Sequence, residues 1–263
     1  MQKRHLDRTL YFKELAETSR KYYIPYIEKI KSLNFHSRIL EIGCGDGGNL
    51  LPFAKLGCHV RGIDIAACRI QDAQRFFQQL NYNASFETYD FMEMEVPITE
   101  CDKYDVILLH DVIEHIPMKS DFLQKLKNFL KVDGILFVGF PAWQMPFGGH
   151  QQICRGKVLS HTPFIHLLPN KCYRKLLSFL GEKEDIIKEL MDIKHCKTSI
   201  EFFEKTIKLC DYQIVSHKLW FINPHYQEKF NLTPRPLYHW VSHLKYIRNF
   251  FSTSCWYLLK LNT

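Results

Sequence analysis

The sequence lacks the marks of several protein classes. No two of its nine cysteines stand in C-x-x-C spacing, the count is odd, and Cys44, Cys58 and Cys255 sit inside apolar runs. That usage excludes a disulfide frame or a zinc site and reads as reduced, buried cysteine in a cytoplasmic protein. No apolar run approaches the length that spans a bilayer. Met1 to Leu10 is charged and has no apolar core, so no secretory leader is read there. Arginine-rich runs, internal repeats and low-complexity tracts are also missing. Lys plus Arg number 35 against 28 for Asp plus Glu, a net charge of +7. These charges are scattered, so nucleic acid is not signalled as a partner, whereas an anionic small molecule or a peripheral membrane surface suits them equally. Oligomeric state is not readable.

What is present is globular. The 263 residues are 46% hydrophobic and 14% aromatic, which excludes disorder and leaves room for a core without staples. After a helical stretch from Asp7 to Lys31, bent or divided at Pro25, short apolar strands alternate with helices. The strands are Arg38–Ile42, His59–Ile63, Ser85–Tyr89, Tyr104–Leu109 and Gly134–Phe140. That alternation predicts an α/β fold with a parallel sheet and right-handed crossovers. Polar residues collect just after the strands, at the carboxyl edge where open α/β sheets bind ligands. Residues 142–198 break the pattern and read as an insertion covering that edge. Residues 199–263 return to the core through a helix, strand Tyr212–Ile222, a loop over 223–236, a helix near 237–250 and a last strand Ser254–Leu261.

The most informative stretch is Leu40-Glu-Ile-Gly-Cys-Gly-Asp-Gly-Gly48. Gly43 and Gly45 let the backbone turn sharply and approach a ligand without a Cβ in the way. Its G-x-G-x-G-G spacing displaces the third glycine of a dinucleotide fingerprint, and no P-loop pattern is present. Asp64, followed by Ile65, ends the next strand at the place where a ribose diol is bonded. Asp90-Phe91 ends the third strand and offers a carboxylate and a ring for an adenine. Glu41 is placed to hold the loop or to reach a cationic ligand.

On these residues the sequence resembles the class I S-adenosylmethionine-dependent methyltransferases. Leu40–Gly48 is similar to their first motif, Asp64 to the ribose acid and Asp90-Phe91 to the adenine pair. Tyr104–Pro117 resembles the fourth-strand motif, and Phe129–Leu136 the helix-turn-strand after it. The resemblance covers residues 36–141 strongly and implies a doubly wound, Rossmann-like sheet of seven strands, mostly parallel, in the order 3-2-1-4-5-7-6. It implies S-adenosylmethionine as cofactor and S-adenosylhomocysteine as product, with Glu41, Gly43, Cys44, Gly45, Asp64, Ile65, Asp90, Phe91 and His110 as cofactor contacts. Residues 1–141 would then be the N-terminal helix and cofactor core. The implied chemistry is in-line attack of a nucleophile on the sulfonium methyl.

For the proton, His150 in Pro146-Phe-Gly-Gly-His-Gln-Gln152 leads, because Gly148-Gly149 would let it swing inward and a near-neutral imidazole suits the task. His110 or Asp111 come next. Gln151, Tyr226 and Arg235 are candidate acceptor contacts, and Lys229 and Arg235 could face an anionic acceptor. Asp111, Glu114 and His115 could bind a divalent cation, but they are read as a helix start with acids at its positive end, so no metal is expected. His161 and His166, and His239 and His243, are read as packing. The expected enzyme moves a methyl group to a small or medium-sized acceptor, at oxygen. Methylation of RNA or protein, and a non-catalytic cofactor-binding module, are the competing readings.

Overall fold

A computed structural model of the chain describes residues 7–262. Most of the charged N-terminal stretch read for a leader therefore lies outside the described residues. One eight-stranded sheet forms the centre. Its strands are β1 (Arg38–Ile42), β2 (His59–Asp64), β3 (Ser85–Thr88), β4 (Tyr104–His110), β5 (Leu130–Phe140), β6 (Tyr212–Ile222), β7 (Arg235–Pro236) and β8 (Ser254–Leu261). The order across the sheet is β3-β2-β1-β4-β5-β8-β6-β7. Strands β1 to β5 pair in parallel, and β8 runs antiparallel between β5 and β6. Seven strands were expected, and the eighth is the two-residue β7, which pairs with the end of β6. Without that edge pair the order is the expected one.

The physical cause is legible in the strands. Every residue of β4 is buried, as a central parallel strand with helices on both faces requires. Two separate cores result. One gathers around Phe91, Phe122, Phe129 and Phe140, and the other around Phe53, Phe76, Phe86, Phe137 and Trp256. Helix Ala67–Gln79 buries Ile70, Ala73, Phe76 and Phe77 at helical spacing against the second.

Three local expectations need correction. The segment expected to be bent or divided at Pro25 is divided a little earlier, by a π turn over Ser19–Tyr23, and Pro25 sits in the first turn of the helix Ile24–Ile27 that follows. The helix expected over 237–250 is two short ones, His239–Ser242 and Arg248–Phe251. The loop expected over 223–236 contains helix His225–Phe230 and then β7. That helix is tied to helix Arg8–Thr18 by Thr18 Oγ1 and His225 Nδ1, 3.1 Å apart in the interior. Residues 142–198 carry a small core of their own, built on Cys154, Leu159, Tyr173, Leu177, Ile187 and Leu190. Among the described residues no helix is long and apolar enough to cross a membrane.

Candidate active site

The glycine-rich turn lies at the carboxyl end of β1. The N–H groups of Gly43 and Cys44 both donate to the Ile63 carbonyl, at 2.8 and 3.0 Å, which fastens the turn to β2. Gly43 and Gly45 have φ of +69° and +52°, backbone that favours glycine. Their surroundings differ. A Cβ on Gly43 would strike Val112 at 2.4 Å, whereas one on Gly45 would meet nothing within 4 Å. Gly45 therefore borders open space that a ligand can fill.

Carboxylates stand on or just after the strands that end near this turn. Asp64 accepts from Gly45 N at 2.9 Å and from Ala66 N at 2.8 Å, so it braces the turn while further lone pairs remain for hydroxyls. Asp90 accepts from Met92 N at 2.8 Å. Glu41 is almost fully enclosed, and its Oε1 accepts from Asn49 Nδ2 at 2.7 Å. Among the described residues its Oε2 has no hydrogen-bond partner. Burial pushes its pKa up to about 8. A buried, half-satisfied carboxyl beside an open cradle is what a ligand bearing a cation would complete.

Other proposed cofactor residues are placed differently. Ile65 projects into solvent, and Cys44 is buried with its Sγ 3.6 Å from the Gly45 carbonyl. The Phe91 ring is packed between Phe122 and Phe129, each 4.9 Å away, so it belongs to the core rather than to a ligand face. His110 is buried against Tyr23 at 5.2 Å, with Nε2 unpartnered.

Next to the turn lies a cavity of about 390 Å³, lined among others by Tyr11, Arg69, Asp111, Phe147, His150 and Tyr226. The topology thus brings Asp111, His150 and Tyr226 together from three distant segments. Two expected acceptor contacts are not among the residues that line it. Gln151 is fully buried and spends its amide on the Pro146 and Thr162 carbonyls, holding the loop. Arg235 is exposed in β7 at the edge of the sheet, paired with Ile222, and does not line the cavity. A larger groove of about 870 Å³ runs along the amino ends of β1 to β3, opposite to the glycine turn and to the edge where such sheets bind ligands.

His150 adopts φ +55°, which aims it at the fourth-strand motif. Its Nε2 lies 3.8 Å from Glu114 Oε1, and its ring meets His115 edge-on at 5.1 Å. Gly148 and Gly149 do not supply mobility. A Cβ on the first would strike the Ala142 and Trp143 carbonyls, and one on the second would strike His166, so both glycines permit close packing. Nor is the imidazole near-neutral. Burial and the neighbouring His115 push its pKa down to about 4, so it is uncharged at neutral pH. Glu114 is shifted the other way, well above the carboxylate range, by burial and by Asp111. The helix start that was to explain this acid is a single 3-10 turn, Ile113–His115, and both Glu114 oxygens are buried with no hydrogen-bond partner among the described residues. Ligand atoms of Glu114, His115 and His150 lie within 4.8 Å of one another, a set that could hold a metal ion.

Sequence reasoning missed the cavity's cationic wall. Arg8 and Arg69 both grip the buried Asp46 of the glycine turn, at 3.0 Å each. Asp46 was visible inside the motif, but its two partners were not. The Glu114–His150 approach was equally hidden, because it spans a strand, a helix and a loop.

Comparison with known proteins agrees with this geometry. A family model described as a methyltransferase domain matches residues 33–195. The chain belongs to the methyltransferase domain family. A ubiquinone biosynthesis O-methyltransferase from Glaesserella parasuis is 34% identical over 44% of this chain and 50% of its own length, and one from Bartonella tribocorum is 32% identical over 45% and 49%. The chain thus spans about half the length of these curated relatives. Among solved structures, an S-adenosylmethionine-dependent methyltransferase from Clostridium acetobutylicum has a TM-score of 0.59 at 12% identity, covering 94% of this chain and 92% of that one. Magnesium protoporphyrin IX methyltransferase from Synechocystis, with bound S-adenosylhomocysteine, has a TM-score of 0.53 at 14% identity, covering 97% and 84%. At these identities the structures speak for the methyltransferase fold, α/β and Rossmann-like.

Proposed function

We propose that this methyltransferase-domain protein is an S-adenosylmethionine-dependent enzyme that methylates an oxygen of a small or medium-sized acceptor. One observation carries the reading: the open cradle at Gly45, whose N–H is held by Asp64, is linked through Asp46 to Arg8 and Arg69 of a cavity that His150 lines beside Glu114. When bound, the cofactor supplies an electrophilic methyl on a sulfonium sulfur. The chain's part is to hold and orient. Asp64 offers acceptors to ribose hydroxyls, Asp90 to the adenine amine, and Glu41 to the cationic amino-acid end. Arg8, Arg69 and Asp46 keep the turn rigid around it. His150, uncharged at neutral pH, accepts the hydrogen bond of the acceptor hydroxyl and takes its proton as the oxygen attacks the methyl, while Glu114, held protonated by burial and by Asp111, stands 3.8 Å away as the other member of the proton pair.

The insertion over 142–198 walls the cavity with Met145, Phe147 and Ile153, which suits a compact, partly apolar acceptor rather than a polymer. The odd number of cysteines, none in C-x-x-C spacing, supports a cytoplasmic site of action. The test is transfer of labelled methyl to hydroxylated aromatic acceptors, starting with ubiquinone precursors because of the relatives' names. Labelling of RNA or protein in preference to every such acceptor, or binding of the cofactor with no transfer at all, would decide for the competing readings.

The orphaned Glu114 carboxyl favours a second reading for the acceptor side, in which Glu114, His115 and His150 hold a divalent cation. Activity that survives chelation supports the proton pair. Activity lost to chelator and restored by magnesium or zinc supports the cation.

A further inference from the structure

From Lys229 to the last residue the sequence contains no Asp or Glu, while Lys229, Arg235, Lys245, Arg248 and Lys260 stand in it. The part between β7 and β8 is unusual in a second way. Tyr238 is 64% exposed, Trp240 69% and Tyr246 68%, and Leu244, Ile247, Phe250 and Phe251 are each at least 39% exposed. Large side chains gathered so closely in water mark a contact surface. At residue 250 the surface meets the insertion, where Phe250 and Phe164 lie 6.4 Å apart. Phe164 belongs to another stretch, residues 134–181, that also lacks any acidic residue.

Beside the exposed aromatics runs a groove of about 530 Å³ lined by His217, Lys218, His239, His243, Lys245 and Arg248. The one carboxylate in its lining, Glu204, is already engaged by Arg248 at 2.6 Å and by the Tyr257 hydroxyl at 2.9 Å. Arg248 is spent on Glu204 and on Glu201, so the groove's available cations are Lys218 and Lys245, beside the imidazoles of His217, His239 and His243 and with no free anion in its lining. Tyr and Trp place an apolar ring and a polar atom at the depth of lipid headgroups, and cations next to them add attraction to anionic lipid. A second copy of this chain would set cation against cation, so the face is not complementary to itself.

We propose that residues 238–251 dock on an anionic phospholipid bilayer, with Tyr238, Trp240 and Tyr246 entering the headgroup layer and His239, His243 and Lys245 facing lipid phosphates. Thr253, two residues past helix Arg248–Phe251, lines the acceptor cavity, so docking holds the cavity wall close to the membrane. The proposal stands apart from the methyl-transfer reading, and its assay contains neither methyl donor nor acceptor.

Trp240 makes the test specific, because Trp143, Trp220 and Trp256 are buried. The full chain is mixed with vesicles of phosphatidylcholine and phosphatidylglycerol, or of phosphatidylcholine alone, and followed by sedimentation and tryptophan emission. The expected result is binding to the mixed vesicles that weakens with salt, accompanied by a blue shift that brominated acyl chains quench. Trp240→Phe should keep binding and lose the shift, and Lys245→Glu should weaken binding by roughly tenfold. No sedimentation at low salt, equal binding to phosphatidylcholine alone, or binding without a shift in Trp240 emission overturns the proposal. So does a stable dimer in which Trp240 emission is already blue-shifted without vesicles, since a second copy would then cover the face.

Discussion

Glu41 ties cofactor affinity to pH in a way that can be worked out in advance. Its carboxyl is fully enclosed, one oxygen is held by Asn49, the other has no partner, and burial raises its pKa from 4.5 to about 8. At pH 7 the free protein therefore carries it about nine-tenths protonated. A cationic ligand end against Oε2 demands the carboxylate, so binding must release that proton. If the bound form is fully ionised, affinity should rise about fiftyfold between pH 6 and pH 8 and level off above that. The stability of the free protein should move the opposite way. Because the folded pKa lies above the unfolded one, the stabilising contribution is whole below about pH 4.5 and is lost as pH climbs toward 8, costing roughly 3 kcal/mol by pH 7.

Glu41→Gln keeps an oxygen for Asn49 and cannot ionise. It should raise the Tm of the free protein near pH 8 and flatten the affinity profile. The assay is titration calorimetry with S-adenosylhomocysteine, in paired buffers of different ionisation enthalpy so that released protons are counted. An affinity that stays level from about pH 6 to 9 in the parent chain, with buffer-independent heat, would refute the assignment of Glu41 to the cationic end.

Other outcomes follow from the same geometry. Asp64→Ala removes a charge-assisted partner of the ribose and a brace of Gly45, and should weaken cofactor binding by roughly 2–3 kcal/mol in the same calorimetry. Gly45→Ala should bind poorly yet lose only about 1–2 kcal/mol of stability from its positive φ, whereas Gly43→Ala adds a clash with Val112 and should melt markedly lower. Parallel loss of stability in the two variants would remove the case for a cradle at Gly45. His150→Ala should cut turnover by about 10² to 10⁴ while leaving cofactor affinity nearly unchanged. Full turnover in that variant would make His150 a loop residue only.

Much of this molecule is written locally. Strands Arg38–Ile42, Tyr212–Ile222 and Ser254–Leu261 have the bounds that short branched and aromatic runs predict, because a buried strand needs little beyond its own composition and the turns around it. The clustering of Glu41, Gly43, Gly45 and Asp64 was equally legible, since they crowd the first two strand ends, and the positive φ of the two glycines fits a tight turn there. What a one-dimensional reading misjudged depends on packing between distant segments. Phe91 looked like a ring for a ligand and became core because Phe122 and Phe129 close over it. Gly148 and Gly149 looked supple, and the nearness of Trp143 and His166 makes them packing residues. His150 does line a cavity beside the fourth-strand motif, but burial and His115 lower its proton affinity, because spacing gives position along the chain while a pKa is set by what surrounds the group. Glu114 shows the same division most plainly. Its neighbours in sequence suggested a helix start, but the fold buried it without a partner and set an imidazole from the insertion beside it, and only tertiary structure could decide that.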